Sequence, residues 1–129
     1  MAKIVDVAEL IMGQSPPSVT YNEEGDGLPF FQGKTDFGFR HPIPRLFCNS
    51  PLKVAKPGDI LMSVRAPVGP TNIADCECCI GRGLGAIRPR GIDGEFLFYN
   101  LRYIENFITS LGSGSTFQAI IHRDLINAA

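Results

Sequence analysis

The chain has 129 residues, 44% of them hydrophobic and 19% charged, with a formal net charge of −1. That length fits one domain whose fold buries roughly two thirds of the surface its unfolded chain exposes. With no run of about 18 apolar residues, a membrane-spanning helix is excluded, and the near-zero net charge excludes a uniformly basic nucleic-acid coat.

The charge is nevertheless uneven. Residues 1–30 hold one basic and five acidic groups (net −4), residues 31–90 nine and four (net +5), and residues 91–129 two and four (net −2). The opening MAKIVDVAELIMG sets Lys3 against Asp6 and Glu9, too acidic and too short in apolar length for a secretory signal. A cytoplasmic location is therefore expected. Lys3–Met12 fits a short strand or a few helical turns equally well, and Pro16-Pro17 stops it. Tyr21–Gly27 reads as a polar surface loop. Leu28–Phe31 reads as a strand that enters a turn at Gly33, and residues 34–42 as a long polar-aromatic loop. Arg45–Cys48 and Leu52–Ala55 are two short extended candidates.

Residues 56–89 read as the β core. Pro57-Gly58 is a turn, Asp59–Arg65 carries an apolar run long enough for a buried strand, and Pro67, Gly69 and Pro70 break it. Thr71–Ala74, Cys76–Ile80 and Gly83–Ile87 follow as short strands. This stretch sets Arg65, Arg82 and Arg88 at strand ends and turns, with Arg90 just beyond, an arrangement suited to a polyanion. After Asp93, the stripe Leu97, Leu101, Ile104, Ile108 and Leu111 has helical spacing. Asp93 is placed to cap that helix and Gly112 to end it, with Tyr103 and Phe107 expected to widen its apolar face. Gly112–Thr116 is expected as a loop and Phe117–Ile121 as a last strand.

Several motifs come close to enzyme signatures without reaching them. Gly27 to Lys34-Thr35 has five residues between its glycines where a P-loop needs four, and two phenylalanines obstruct convergence of amides on a phosphate. Ser15-Pro-Pro-Ser18 lacks the leading amide or acid and the closing aromatic of the amino-methyltransferase signature. Gly81, Gly83 and Gly85 have the wrong spacing for a dinucleotide loop, and a bulge or close backbone packing is the simpler reading. Cys48, Cys76, Cys78 and Cys79, with His41 and His122, lack zinc-ligand spacing, so reduced, half-buried thiols are expected. Alternation points Cys78 and Cys79 to opposite faces. No carboxylate pair or thiol–histidine arrangement is evident, so the chain reads as non-catalytic, with no cofactor and no metal.

The order and spacing of several pieces resemble the target recognition domain of the DNA specificity subunit of type I restriction–modification systems. These pieces are Val7-Ala-Glu-Leu-Ile-Met-Gly-Gln-Ser-Pro-Pro17, Gln32-Gly33-Lys34, Lys56-Pro-Gly-Asp-Ile-Leu61 running to Arg65 and Gly69, Ile80–Ile87, Phe96–Leu101 and Gly112-Ser-Gly-Ser-Thr-Phe-Gln-Ala-Ile120. The resemblance implies an α/β (α+β) fold like the small domain of adenine methyltransferases: a strongly bent mixed β-sheet of short strands with one main amphipathic helix near residues 94–111. It implies a single recognition domain over residues 1–129. A complete subunit of that family has two such domains joined by long helices, so the chain looks like a fragment of a longer protein or an isolated single domain. It also implies reading of one half of a split double-stranded DNA target beside methyltransferase (modification) and restriction subunits, with no membrane partner.

On that reading Lys34, Lys53 and Lys56 are expected at phosphates, Arg40, Arg65 and Arg82 at base edges, and Thr35 among the DNA-binding residues. Arg82, between two glycines, has bracing of its turn as an alternative. Ser115, Thr116 and Gln118 are expected at the DNA backbone or an adenine edge, with loop capping as the alternative. Two other classes stay open. One is a protein-interaction module that docks through the Leu97–Leu111 stripe, and the other is a thiol-dependent hydrolase.

Overall fold

A computed structural model describes residues 3–110. The expected strand at Phe117–Ile121 and the expected site residues Ser115, Thr116 and Gln118 lie outside them, as do Leu111, Gly112 and the side chain of Ile108.

The fold is mixed α/β, and its short strands divide between two sheets. The first contains β1 (Ala8–Met12), β6 (Ile60–Ser63), β7 (Thr71–Ile73) and β9 (Leu84–Pro89), in the order β1-β9-β6-β7 with every pair antiparallel. The second contains β2 (Tyr21–Asn22), β3 (Leu28–Phe31), β4 (Phe47–Cys48), β5 (Val54–Ala55) and β8 (Cys78–Ile80), in the order β2-β4-β3-β8-β5. Its β3 and β8 run parallel. The ambiguous N-terminal segment is both things in turn, since the short helix α1 (Ile4–Val7) leads directly into β1. The 21–27 segment, read as loop throughout, opens with the two residues of β2.

The apolar run Ile60-Leu61-Met62 is uninterrupted because both faces of its strand are covered. Ile60 and Met62 join Ile87, Leu97, Phe98, Leu101 and Ile104 in the core under the helix. Leu61 faces the other way, into a core shared with Phe31, Cys78, Ile80, Leu84 and Ala86 of the two sheets. A side chain that alternates across a covered sheet finds apolar neighbours at every position. Cys78 and Cys79 take opposite faces as alternation requires, and Cys79 joins Phe30 and Cys48 in a third cluster.

Asp93 caps α2 (Gly94–Tyr103), its Oδ1 accepting from the Glu95 amide at 2.8 Å and the Phe96 amide at 3.4 Å. The expected single helix breaks at Ile104, and α3 (Glu105–Ser110) follows as a separate helix. There the Thr109 hydroxyl donates to the Val68 carbonyl at 2.7 Å. The stripe Leu97, Leu101, Ile104 is buried, so it is core and not a docking face. Tyr103 and Phe107 do not widen it: they are 77% and 47% exposed. Tyr103 stands two residues, or about 200°, round the helix from Leu101, and the break at Ile104 ends the periodicity that placed Phe107. Phe98, beside Leu97, takes the space instead.

Candidate nucleic-acid interface

The turn Ile80–Gly83 is where the two sheets meet, and four separate segments are hydrogen bonded to it. On the β5 side the Ile80 amide donates to the Lys53 carbonyl and the Ile80 carbonyl accepts from the Gln14 amide, both at 3.0 Å. On the β3 side the Gly81 amide donates to the Phe31 carbonyl at 2.9 Å. The Val64 amide donates to the Gly83 carbonyl at 3.0 Å, and Ser15 Oγ accepts from the Arg82 amide at 3.2 Å. Glycine is required here by space. A Cβ on Gly83 would stand 2.1 Å from the Gln32 carbonyl oxygen, and one on Gly13 would stand 1.9 Å from that of Gly81.

This packing gathers four cations at one end of the molecule. Arg82 is exposed on the turn, and Arg65 follows β6 and donates from Nε to the Arg82 carbonyl at 3.4 Å. Lys53 lies opposite Ile80. Lys34 follows Gly33, whose Cα would be 3.6 Å from a Cβ on Gly83, in the single turn Lys34–Asp36. Thr35 is exposed in that same turn. Among the described residues Lys34, Lys53, Arg65 and Arg82 form no ion pair. The Arg82 main chain braces the turn through its amide and carbonyl, and its guanidinium has no partner among the described residues. Burial pushes the Tyr21 phenol above its ordinary 10.0, and the Arg82 charge opposes that shift, so Arg82 lies within electrostatic reach of Tyr21.

The remaining cations are elsewhere. Arg40 is ion-paired with Glu95 of α2, donates to the Tyr99 hydroxyl at 3.3 Å and lies 5.3 Å from the centre of the Phe98 ring. It ties its loop to α2, apart from the cationic turn. Asn72 supports the same loop, accepting from the Gly38 amide at 2.9 Å and donating to the Gly38 carbonyl at 3.2 Å. Arg88 and Arg90, expected to face a polyanion, do not. Arg88 grips the buried Asp59 through Nε at 2.9 Å and Nη2 at 2.8 Å, and Arg90 pairs with Glu9. A buried carboxylate demands such a partner; the hydrogen bonds that Arg88 donates to Asp59 raise the Arg88 pKa. Lys56 lies at this end too, lining a hollow of about 400 Å³ with Asp59 and Arg88.

Thiol chemistry finds no support in the geometry. Cys48, Cys78 and Cys79 are buried rather than half-buried, and Cys76 is partly exposed. Burial pushes Cys78 up to about 12 and Cys79 up to about 11, the reverse of an activated nucleophile. His41 Nδ1 is 2.8 Å from the Ile73 carbonyl oxygen. Among the described residues no group of three His, Cys, Asp or Glu is placed to hold a metal, and no helix is long and apolar enough to cross a membrane.

Fold and site together define a small mixed α/β domain whose cations at one sheet end have no ion-pair partner among the described residues. The type I restriction modification DNA specificity domain family matches residues 1–127, and the chain belongs to that family. It is 54% identical over 119 residues to a putative type I restriction enzyme MjaX specificity subunit of Methanocaldococcus jannaschii, covering 91% of this chain and 28% of that protein. The crystal structure of an HsdS subunit from Thermoanaerobacter tengcongensis superposes with a TM-score of 0.84 at 55% identity, over 91% of this chain and 30% of that one. A structure described as the basis of complex assembly and conformational transition of the type I R-M system gives 0.89 at 51% identity, over 95% and 32%. The chain thus spans under a third of the length of the relatives it matches.

Proposed function

We propose that this chain is a non-catalytic recognition domain that reads one half of a bipartite double-stranded DNA target, as part of a specificity subunit working with modification and restriction subunits. The observation that carries the reading is the convergence of Lys34, Lys53, Arg65 and Arg82, without carboxylate partners among the described residues, on the single turn Ile80–Gly83. Backbone hydrogen bonds on the sheet edge fix where these side chains start, so only the side chains need ordering when they meet phosphates. A guanidinium beside them has the geometry to pair with both acceptors of guanine. Residues 1–127 match a DNA specificity family, and the relatives carry specificity-subunit names, which supports the same reading.

Titration of a random duplex pool at several salt concentrations tests it. Each phosphate contact contributes about 0.9 to the slope of log affinity against log salt, so a slope of several units is expected, and a slope near zero overturns the reading. Arg40, Lys56, Arg88 and Arg90 are not assigned to DNA contact, because their positions lie with α2 or with Asp59 and Glu9. Ser115, Thr116 and Gln118 keep their assignment as a proposal from the family resemblance alone.

A further inference from the structure

We infer that Gln14 and Gln32 set base preference at this end, as two amides flanking Arg82 that read base edges in the major groove. The inference rests on the DNA-binding reading and deepens it. Both side chains are exposed, yet both backbones are fixed against the same turn. The Gln14 amide donates to the Ile80 carbonyl at 3.0 Å, and the Gln32 amide donates to Asp36 Oδ2 at 2.7 Å while its carbonyl abuts Gly83. Neither side-chain amide has a hydrogen-bond partner among the described residues.

Other amides of the chain behave differently. Asn22 Oδ1 accepts from the amides of Glu24 and Asp26, Asn49 Nδ2 donates to Asp26, and Asn72 clasps Gly38. Their groups are satisfied inside the fold, whereas those of Gln14 and Gln32 face outward beside four cations. A lysine senses charge and an arginine favours guanine. A primary amide adds a coplanar donor and acceptor, the pattern that matches N6 and N7 of adenine. The topology also sets the spacing. Gln14 bonds the β5 side of β8 and Gln32 continues β3 on the other side. They are therefore separated by about two strand spacings, roughly 10 Å, or about three base steps at 3.4 Å each.

Selection of bound duplexes from a random pool with the full 129-residue chain tests this. Gln14→Ala and Gln32→Ala are each expected to level the preference at one A·T pair by about 10-fold, at positions about three base pairs apart, with the salt slope unchanged. Gln32→Glu is expected to move its position from adenine toward cytosine, whose N4 amino group a carboxylate accepts. An unchanged preference in both alanine variants, while Arg82→Ala still weakens binding, overturns the inference and leaves the DNA reading intact. Equal weakening of binding to all sequences in either variant assigns that residue to the DNA backbone and also overturns it. Absence of salt-dependent binding by the unaltered chain removes both.

Discussion

The pair of strands β6 and β9 ends in arginines at both extremities, and the two ends have opposite fates. At one, Arg88 sits beside Asp59 and Glu9, and Arg90 beside Glu9, so every guanidinium is neutralised. At the other, Arg65, Lys34 and Lys53 stand on segments packed against the turn of Arg82, and the four meet no carboxylate among the described residues. The first end is structural and the second is available. Counting basic residues in the centre of the chain cannot separate them, because the distinction depends on which acidic residues the strand register brings opposite. Glu9 is opposite Arg88 only because β1 pairs with β9.

The largest effect is expected where charge is buried. Asp59→Asn removes the partner of Arg88 and is expected to cost about 3 kcal/mol in urea unfolding, at the low end for a buried pair because Glu9 still stands 3.7 Å from Arg88. Should this variant keep its stability, the structural role of that end fails. At the exposed end, Arg82→Ala is expected to change stability by less than about 0.5 kcal/mol and to weaken duplex binding by about 1–3 kcal/mol. Equal losses of stability from Asp59→Asn and Arg82→Ala would erase the contrast. Lys34→Ala is expected to weaken binding to all sequences alike and to lower the salt slope by about one; a changed base preference at constant slope would reassign it. Arg90→Ala, which loses only an exposed ion pair with Glu9, is expected to cost at most about 0.5 kcal/mol by the same unfolding measurement and to leave DNA binding unaltered.

The buried thiols add a pH test that touches neither end. Cys78 is raised from 9.0 to about 12 in the folded chain. The unfolded thiol therefore ionises first as pH rises, which favours unfolding. Its contribution is full below pH 9.0 and is lost between pH 9.0 and about 12. Denaturant midpoints measured from pH 7 to 10.5 are expected to fall above pH 9 in the parent and to fall less in Cys78→Ala, compared with each protein's own value at pH 7. A parallel decline in both would show that Cys78 does not control the alkaline limb.

Much of the local structure was legible from residue types. Pro57-Gly58 makes its turn with Gly58 at φ +92°, Asp93 caps its helix, and the run through Ile60 is a buried strand. The close packing expected of Gly81 and Gly83 is present. Lys53 and Lys56 illustrate the limit. Three residues apart on one segment, they look alike in sequence, yet the pairing of β5 with β8 sends Lys53 to the cationic turn and leaves Lys56 beside Asp59. Arg40 likewise carries no local sign that Glu95, 55 residues on, will hold it.

Residue order by itself determined the class of fold, the turns, the helix cap, the burial of the central strand and the family resemblance. The turns, the cap and the buried strand follow from short-range stereochemistry and the period of apolar side chains, and the class of fold came with the family resemblance. Tertiary structure decided which cations are free, which helical aromatics face solvent, and how strands from distant segments divide between two sheets. Those outcomes depend on pairings between segments tens of residues apart, and no local pattern encodes the partner.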